Sequence, residues 1–335
     1  MREPPYPTVL KPYGEALLAE ARQRPELLCL GADLTRQTET DIFRDALPER
    51  FFNAGMAEAN MIGIAGGLAR AGHTVFVNTF GVFCTRRCYD QIAMAVAYPS
   101  LNVKLVGFMP GLSSPGGPSH QAIEDVALMR CLPNMLVVEP ADALEIRQAV
   151  AALAAHRGPA YMRLKRGEIP LIHDDGHRFD LQHAQVLAGG ARSDACLVAA
   201  GMMLPPALAA ARTLAAHGLA VTVINCPVIK PLDAATIVAA ARTTRVLVSA
   251  ENHSIVGGLG SAIAEALAQC APGVPLLRVG IADVFAESGS REFLFGRYGL
   301  DTQSIVAAVW NALGCEPPVP RAPPLQAPAG AYAPV

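Results

Sequence analysis

Charge is scarce in this chain of 335 residues: acidic and basic side chains make up 17% of it and nearly balance, at a formal net charge of −2. A chain so nearly neutral has no electrostatic reason to seek nucleic acid or a membrane surface. Long apolar runs are missing too, which excludes a membrane-spanning helix, and the opening Met-Arg-Glu-Pro-Pro-Tyr-Pro lacks the pattern of a secretory signal. Eight cysteines occur but no CxxC pair; Cys84 and Cys88 stand four apart without the companions a zinc site needs. Reduced, mostly buried thiols and a cytoplasmic location follow as expectations.

What is abundant is apolar: hydrophobic residues reach 52%, enough for each half of the chain to bury its own core. From Asn53 to Gln91 one carboxylate, Glu58, is set among Ala, Gly, Met, Ile and Leu. Residues 56–70 read as a helix buried on most of its surface. Gly55, Gly63, Gly66 and Gly67 cost helix stability, so something is expected to approach that backbone closely. An ionised carboxylate in such a place must be paired, protonated or kept for a ligand, and a helix-start cap or salt bridge is the bland alternative. A strand over 73–77 follows, then a helix over 80–97 on which Phe80 and Phe83 can share one face.

Around this stretch the chain alternates. A helix over 13–22 and a strand over 27–31 lead to Asp33, at a strand end where ligands of α/β folds gather or where an aspartate simply caps a turn. A strand over 103–107 leads into residues 109–124, too rich in Gly and Pro for regular structure and too long for a simple turn. That loop carries His120, whose titration near neutrality suits proton handling. A strand over 135–139, a helix over 141–156 and a strand over 160–164 complete a mainly parallel sheet. Arg166 follows at once, suited to a phosphate or to a structural ion pair. The polar stretch after Pro170 holds His173-Asp-Asp-Gly-His177, which reads as a solvated turn, since no third ligand group stands nearby in sequence. The second half alternates again through strands at 195–199, 220–225, 245–251 and 275–279, with helices at 204–216, 233–241, 258–270 and 302–313. GGLGS at 257–261 lacks the GxGxxG spacing of a nucleotide loop and suits close helix packing. EPPVPRAPPLQAPAGAYAPV at the end reads as a disordered tail.

AGMAEANMIGIAGGLA, NTFGVF, RCYDQI and GPSHQAIEDVALMR together resemble the pyrimidine-binding domain of the transketolase family, and VINCPVIKPLD, AENHSIVGGLGS and DVFAESGSREFLFGRYGLD resemble its C-terminal domain. The resemblance runs from about residue 14 to 313. It implies two three-layer α/β/α domains: a pyrimidine-binding domain at 1–175, a linker at 176–192, a C-terminal domain at 193–315 and the tail at 316–335. It further implies thiamine diphosphate as cofactor. Glu58 would then hydrogen-bond the aminopyrimidine, Phe80 and Phe83 would pack on that ring, and Asp33 would lie beside the cofactor. A buried carboxyl able to hold a proton suits that role. His120 would face the thiazolium and substrate, and Arg166 would bind a substrate phosphate.

Two positions depart from the family. Transketolases carry an aspartate four residues before this histidine and another histidine twelve before it; here stand Gly116 and Phe108. The usual sugar phosphates are therefore in doubt. The GDG motif that holds the diphosphate and its Mg²⁺ in this superfamily is also missing. The resemblance thus implies the pyrimidine-side subunit of a split transketolase. An N-terminal, diphosphate-binding subunit would hold the metal, in an α₂β₂ heterotetramer, and a two-carbon ketol unit would pass from a ketose to an aldehyde. The C-terminal domain is expected to serve dimer contacts rather than chemistry. A 2-oxo-acid dehydrogenase beta subunit, a deoxyxylulose phosphate synthase-like carboligase and a non-catalytic assembly subunit remain as alternatives.

Overall fold

The computed structural model describes residues 1–190 and 192–314; the tail expected at 316–335 lies outside them. The chain forms two compact units, residues 1–110 with 128–181, and residues 111–127 with those from 182 onward.

In the first unit the elements are α1 (Pro12–Gln23), β1 (Leu27–Gly31), β2 (Phe51–Asn53), α2 (Glu58–Arg70), β3 (Thr74–Phe80), α3 (Gly81–Thr85), β4 (Val103–Phe108), β5 (Leu136–Val138), α4 (Ala143–Ala155) and β6 (Ala160–Leu164). The six strands pair in the order β5-β6-β4-β3-β1-β2, every pair parallel. Strands β1, β3, β4 and β6 are buried at every residue, as they must be when helices cover both faces of a parallel sheet. Parallel strands put all their carboxyl ends on one edge, so the segments after Gly31, Asn53, Phe80 and Leu164 emerge side by side. Beneath that edge the Tyr13 hydroxyl donates to Asn78, and the Tyr13 ring meets Phe108 edge-on with centroids 5.4 Å apart. Phe108 is thus a wholly buried core residue, which accounts for an apolar side chain at that position.

Two local expectations are corrected. Helix α2 buries only Glu58, Met61, Ile62, Ala65 and Gly66. Gly66 does face a close neighbour, since a Cβ there would sit 2.6 Å from the Ala95 carbonyl, whereas Gly63 and Gly67 face open space. The other face of α2 is exposed, as are Met56 (84%), Tyr98 (78%), Met94 and Phe52. The single helix expected over 80–97 is also broken. Phe80 ends β3, α3 stops at Thr85, and a turn at 86–88 precedes a second helical stretch. In that stretch Tyr98 N–H reaches back five residues to the Ala93 carbonyl, one residue more than an α-helix.

The second unit contains β7 (Gln185–Ala188), β8 (Ser193–Ala199), α5 (Leu204–Ala216), β9 (Val221–Asn225), α6 (Ala234–Ala241), β10 (Thr244–Ser254), α7 (Leu259–Cys270), β11 (Leu276–Ile281), α8 (Arg291–Arg297) and α9 (Thr302–Ala312). Its sheet runs β11-β10-β8-β9-β7, parallel except for β7, which lies antiparallel at the edge within the stretch expected to be linker. Both units are α/β. No helix among the described residues is long and apolar enough to cross a membrane. Cys29, Cys84, Cys88, Cys196 and Cys226 are buried free thiols; Cys131 and Cys270 are exposed.

Candidate functional site

Glu58 is the first residue of α2, where a carboxylate is favoured by the aligned peptide dipoles, and it is 4% exposed. Of the three states open to it, the chain adopts pairing: Arg87 Nη1 lies 3.1 Å from one carboxylate oxygen and 3.3 Å from the other. The Arg87 guanidinium also sits over the Phe83 ring, 4.4 Å from its centroid. Phe83 in turn stacks on Phe80 at 5.9 Å, with 23° between the ring planes. Glu58, Arg87, Phe83 and Phe80 therefore form one cluster where α2 begins and β3 ends. Cys88 closes it from behind: burial, with the Glu58 charge adding, pushes its thiol up to about 12, and it donates to the Phe83 carbonyl at 3.3 Å. The thiol therefore stays neutral. Arg87 stood in the sequence without a role, because its partner lies 29 positions upstream.

Asp33 and Arg166 occupy the same edge of the sheet, after β1 and β6. Asp33 adopts left-handed backbone, φ 58°, and its N–H donates to Asn53 Oδ1, which also accepts from Gly55. Asn53 thus ties the Asp33 turn to the lead into α2. The Asp33 carboxylate is exposed and makes no hydrogen bond among the described residues, so it does not cap its turn. Arg166 is exposed and joins no ion pair among them.

His120 belongs to the second unit, because its loop is built onto that unit's core. Asn252, in the ENH run of β10, accepts from Leu112 N–H at 2.9 Å; Gln121 donates to the Glu287 carbonyl at 3.1 Å; Ser254 N–H donates to the Ile123 carbonyl at 2.8 Å. On this scaffold the His120 ring is half-exposed and Nδ1 lies 2.9 Å from the Ser119 hydroxyl. Gly116 is what gives the ring room, for a Cβ there would stand 3.0 Å from His120 Cβ and Cγ. The C-terminal sequence, expected to serve contacts alone, holds the histidine loop in place. Its glycine run does serve close packing: a Cβ on Gly258 would meet Glu251 Oε2 at 1.9 Å, and Glu251 accepts from Leu259 and Gly260 N–H at the start of α7.

One reading of the sequence fails. His173 and His177 are not solvated: Asp174 to Gly176 form an exposed turn, but both imidazoles fold inward, and Glu145 supplies the third ligand-type group that the local sequence lacks.

A parallel α/β unit carrying a buried glutamate and a phenyl pair at its carboxyl edge, followed by a second α/β unit, defines a recognisable class. Residues 6–171 match the transketolase pyrimidine-binding domain and residues 183–305 the transketolase C-terminal domain. The chain belongs to the transketolase family, as the section that carries these two domains. It is 44% identical over 306 residues to a putative uncharacterized transketolase family protein of Sinorhizobium fredii, covering 90% of this chain and 88% of the relative. A putative transketolase C-terminal section from Methanocaldococcus jannaschii is 38% identical, over 92% of this chain and 97% of that one. A 6-deoxy-6-sulfo-D-fructose transketolase subunit, SqwH, of a Clostridium species is 40% identical, over 88% and 91%. Among solved structures, a split gene transketolase described as an inactive beta4 tetramer superposes with a TM-score of 0.84 at 43% identity, covering 91% of this chain and 97% of that one.

Proposed function

We infer that the chain is the pyrimidine-side subunit of a split, thiamine diphosphate-dependent transketolase, transferring a two-carbon ketol unit from a ketose donor to an aldehyde acceptor. The observation that carries this reading is the buried Glu58 carboxylate beside the stacked Phe80 and Phe83 rings. One polar group with an apolar ring surface fits an aminopyrimidine: a hydrogen-bonding edge and two flat faces. Asp33, on the same sheet edge, would border the cofactor.

When bound, thiamine diphosphate would supply the carbanion chemistry that ketol transfer needs. Glu58 would hold a proton at its carboxylate toward the pyrimidine, and to do so it must exchange its bond with Arg87 for one to that ring. Phe80 and Phe83 would fix the ring plane and exclude water. His120 would orient the donor and exchange protons with its hydroxyl groups. Arg166 would bind an anionic end of donor or acceptor through paired N–H groups.

The diphosphate and Mg²⁺ belong to a partner. Mg²⁺ asks for an octahedral set of oxygens. Among the described residues the only cluster of three metal-ligand side chains is Glu145 with two histidines, the wrong chemistry for it. An N-terminal transketolase-like subunit would hold both, with an α₂β₂ heterotetramer as the active form and the cytoplasm as its location. The exposed apolar side chains of Ile64 on α2 and of Met56, Met94 and Tyr98 in the neighbouring segments support such an assembly. The domains proposed are 1–175 and 193–315, joined by 176–192.

Calorimetric titration of thiamine diphosphate with Mg²⁺ into this chain, alone and mixed with an N-terminal subunit, tests the reading. Binding in the mixture alone, followed by ketol transfer, is the expected result; tight binding to the isolated chain overturns it.

A further inference from the structure

The segment after the first unit's sheet brings His173 and His177 against the start of α4. Their rings stack with centroids 3.8 Å apart. His177 Nε2 stands 3.2 Å from Glu145 Oε1, and His173 Nδ1 stands 3.1 Å from Asp142 Oδ2. All four side chains are buried. His173 Nδ1 and His177 Nε2 thus face carboxylate oxygens in poorly aligned ion-pair contacts, and His173 Nε2 is buried with no hydrogen-bond partner. His173 Nε2 is the costly one, since it has given up water without a replacement, whereas the other two nitrogens face carboxylates.

The carboxylates are already fixed from behind. Asp142 caps α4, its Oδ1 accepting from Glu145 N–H and its Oδ2 from Ile172 and His173 N–H, all at 2.8 Å. Glu145 completes the reciprocal cap, one oxygen accepting from Ala141 N–H at 2.8 Å while the other faces His177. Gln148, one turn further along α4, accepts from Phe179 N–H and donates to the His177 carbonyl, pinning the segment to the helix. The carboxylates and the main chain of the segment are thus held, which leaves the imidazole rings as the parts that can turn. Ligand atoms of Glu145, His173 and His177 lie within 4.8 Å of one another. In tetrahedral zinc coordination, with bonds of about 2.0–2.1 Å, ligand atoms are roughly 3.3 Å apart, so binding requires the groups to close and the two stacked rings, now 27° from parallel, to turn until both lone pairs meet the ion.

We propose that Glu145, His173 and His177 form a binding site for a divalent transition metal of the zinc class, with Asp142 as the positioning residue behind His173. Two imidazoles and one carboxylate select such an ion over Mg²⁺, and leave a fourth position for water. Asp142 fits the arrangement in which a carboxylate faces the non-ligating nitrogen of a metal-bound histidine. Bound metal clamps residues 172–179 onto α4. The inference is independent of the cofactor reading, because every residue in it lies within the first unit and none belongs to the thiamine cluster.

The test uses the full chain without a histidine tag, stripped with a chelator and titrated first with Co²⁺ and then with Zn²⁺. The expected result is about one equivalent of Co²⁺ with the visible absorption of a tetrahedral or five-coordinate ion, displaced by Zn²⁺. A rise of several degrees in melting temperature under saturating Zn²⁺ is also expected. His177→Gln should weaken uptake by at least about tenfold. Uptake well under one equivalent by the unmodified chain overturns the site whatever the variant does. Uptake undiminished in a His177→Gln chain that keeps its circular dichroism sends the metal to the cysteines and overturns it equally.

Discussion

Arg87 shares one nitrogen between both oxygens of Glu58 while its guanidinium covers Phe83, so a single side chain occupies the polar and the apolar parts of the proposed pyrimidine site. The two partners differ in exposure, 52% for the arginine side chain against 5% for the glutamate. Substitutions of the two should therefore read out differently. Glu58→Gln should leave the melting temperature within a few degrees and lower turnover of the assembled enzyme by about 10²–10⁴-fold; near-normal turnover would remove Glu58 from the mechanism. Arg87→Met should cost more, about 1–3 kcal/mol in urea denaturation, because it leaves the buried carboxylate without its partner, whereas Glu58→Gln leaves only a half-exposed arginine unpaired.

Gly116 is the space into which the His120 ring fits. Gly116→Ala would push on the imidazole without touching a core, and kcat/KM should fall by at least about tenfold while stability changes by less than about 0.5 kcal/mol. An unaltered kcat/KM would mean that the orientation of His120 does not matter to the reaction.

Lys104 lies wholly buried in β4, donating to the His156 carbonyl at 2.8 Å and to that of Gly158, and burial lowers its ammonium from 10.5 to about 7. Between those values the unfolded chain holds a proton that the native chain has released. Native stability must therefore rise with pH across that window, by no more than about 1.4 kcal/mol per pH unit, and level off above it. Lys104→Met should lack this rise. A difference between the two proteins that stays constant from pH 7 to 10 in urea denaturation would contradict the shift.

Gly258→Ala places a methyl group where Glu251 and His253 already stand, 1.9 Å from the carboxylate and 2.6 Å from the ring. It should lose about 2 kcal/mol or more, since α7 gives up its buried cap and the strand beneath must shift. Thermal unfolding of the variant, compared with Gly260→Ala as a second crowded glycine, measures this.

How far the sequence can be read varies from segment to segment. Strands at 27–31 and 160–164 have their observed bounds, because a fully buried parallel strand is a short apolar run with clear punctuation. The break at 86–88 was hidden because Arg86-Arg87-Cys88 holds no Gly or Pro to punctuate it; in the structure the Cys88 thiol donates to the Phe83 carbonyl across that turn. Glu58 was visible as a misfit among apolar neighbours, but Arg87 was not, since nothing local distinguishes it from Arg86. The turn at Asp174-Asp175-Gly176 was legible from its residues. The inward course of the flanking histidines was not, because it is set by α4, whose Asp142 and Glu145 lie some thirty positions upstream.

The chain leaves its first unit at Gly111, returns at Leu128, and leaves again at Gln182. A fragment beginning at Gln182 would therefore lack the strip that Asn252 and Ser254 hold, and exposing those buried main-chain and amide partners would make it a poor folder. Exchange of C-terminal regions between relatives faces the same geometry. A graft that carries residues from 182 onward but keeps the host's 111–127 combines a histidine loop from one parent with its anchors from another, so such chimaeras should fail at the loop before they fail at the fold.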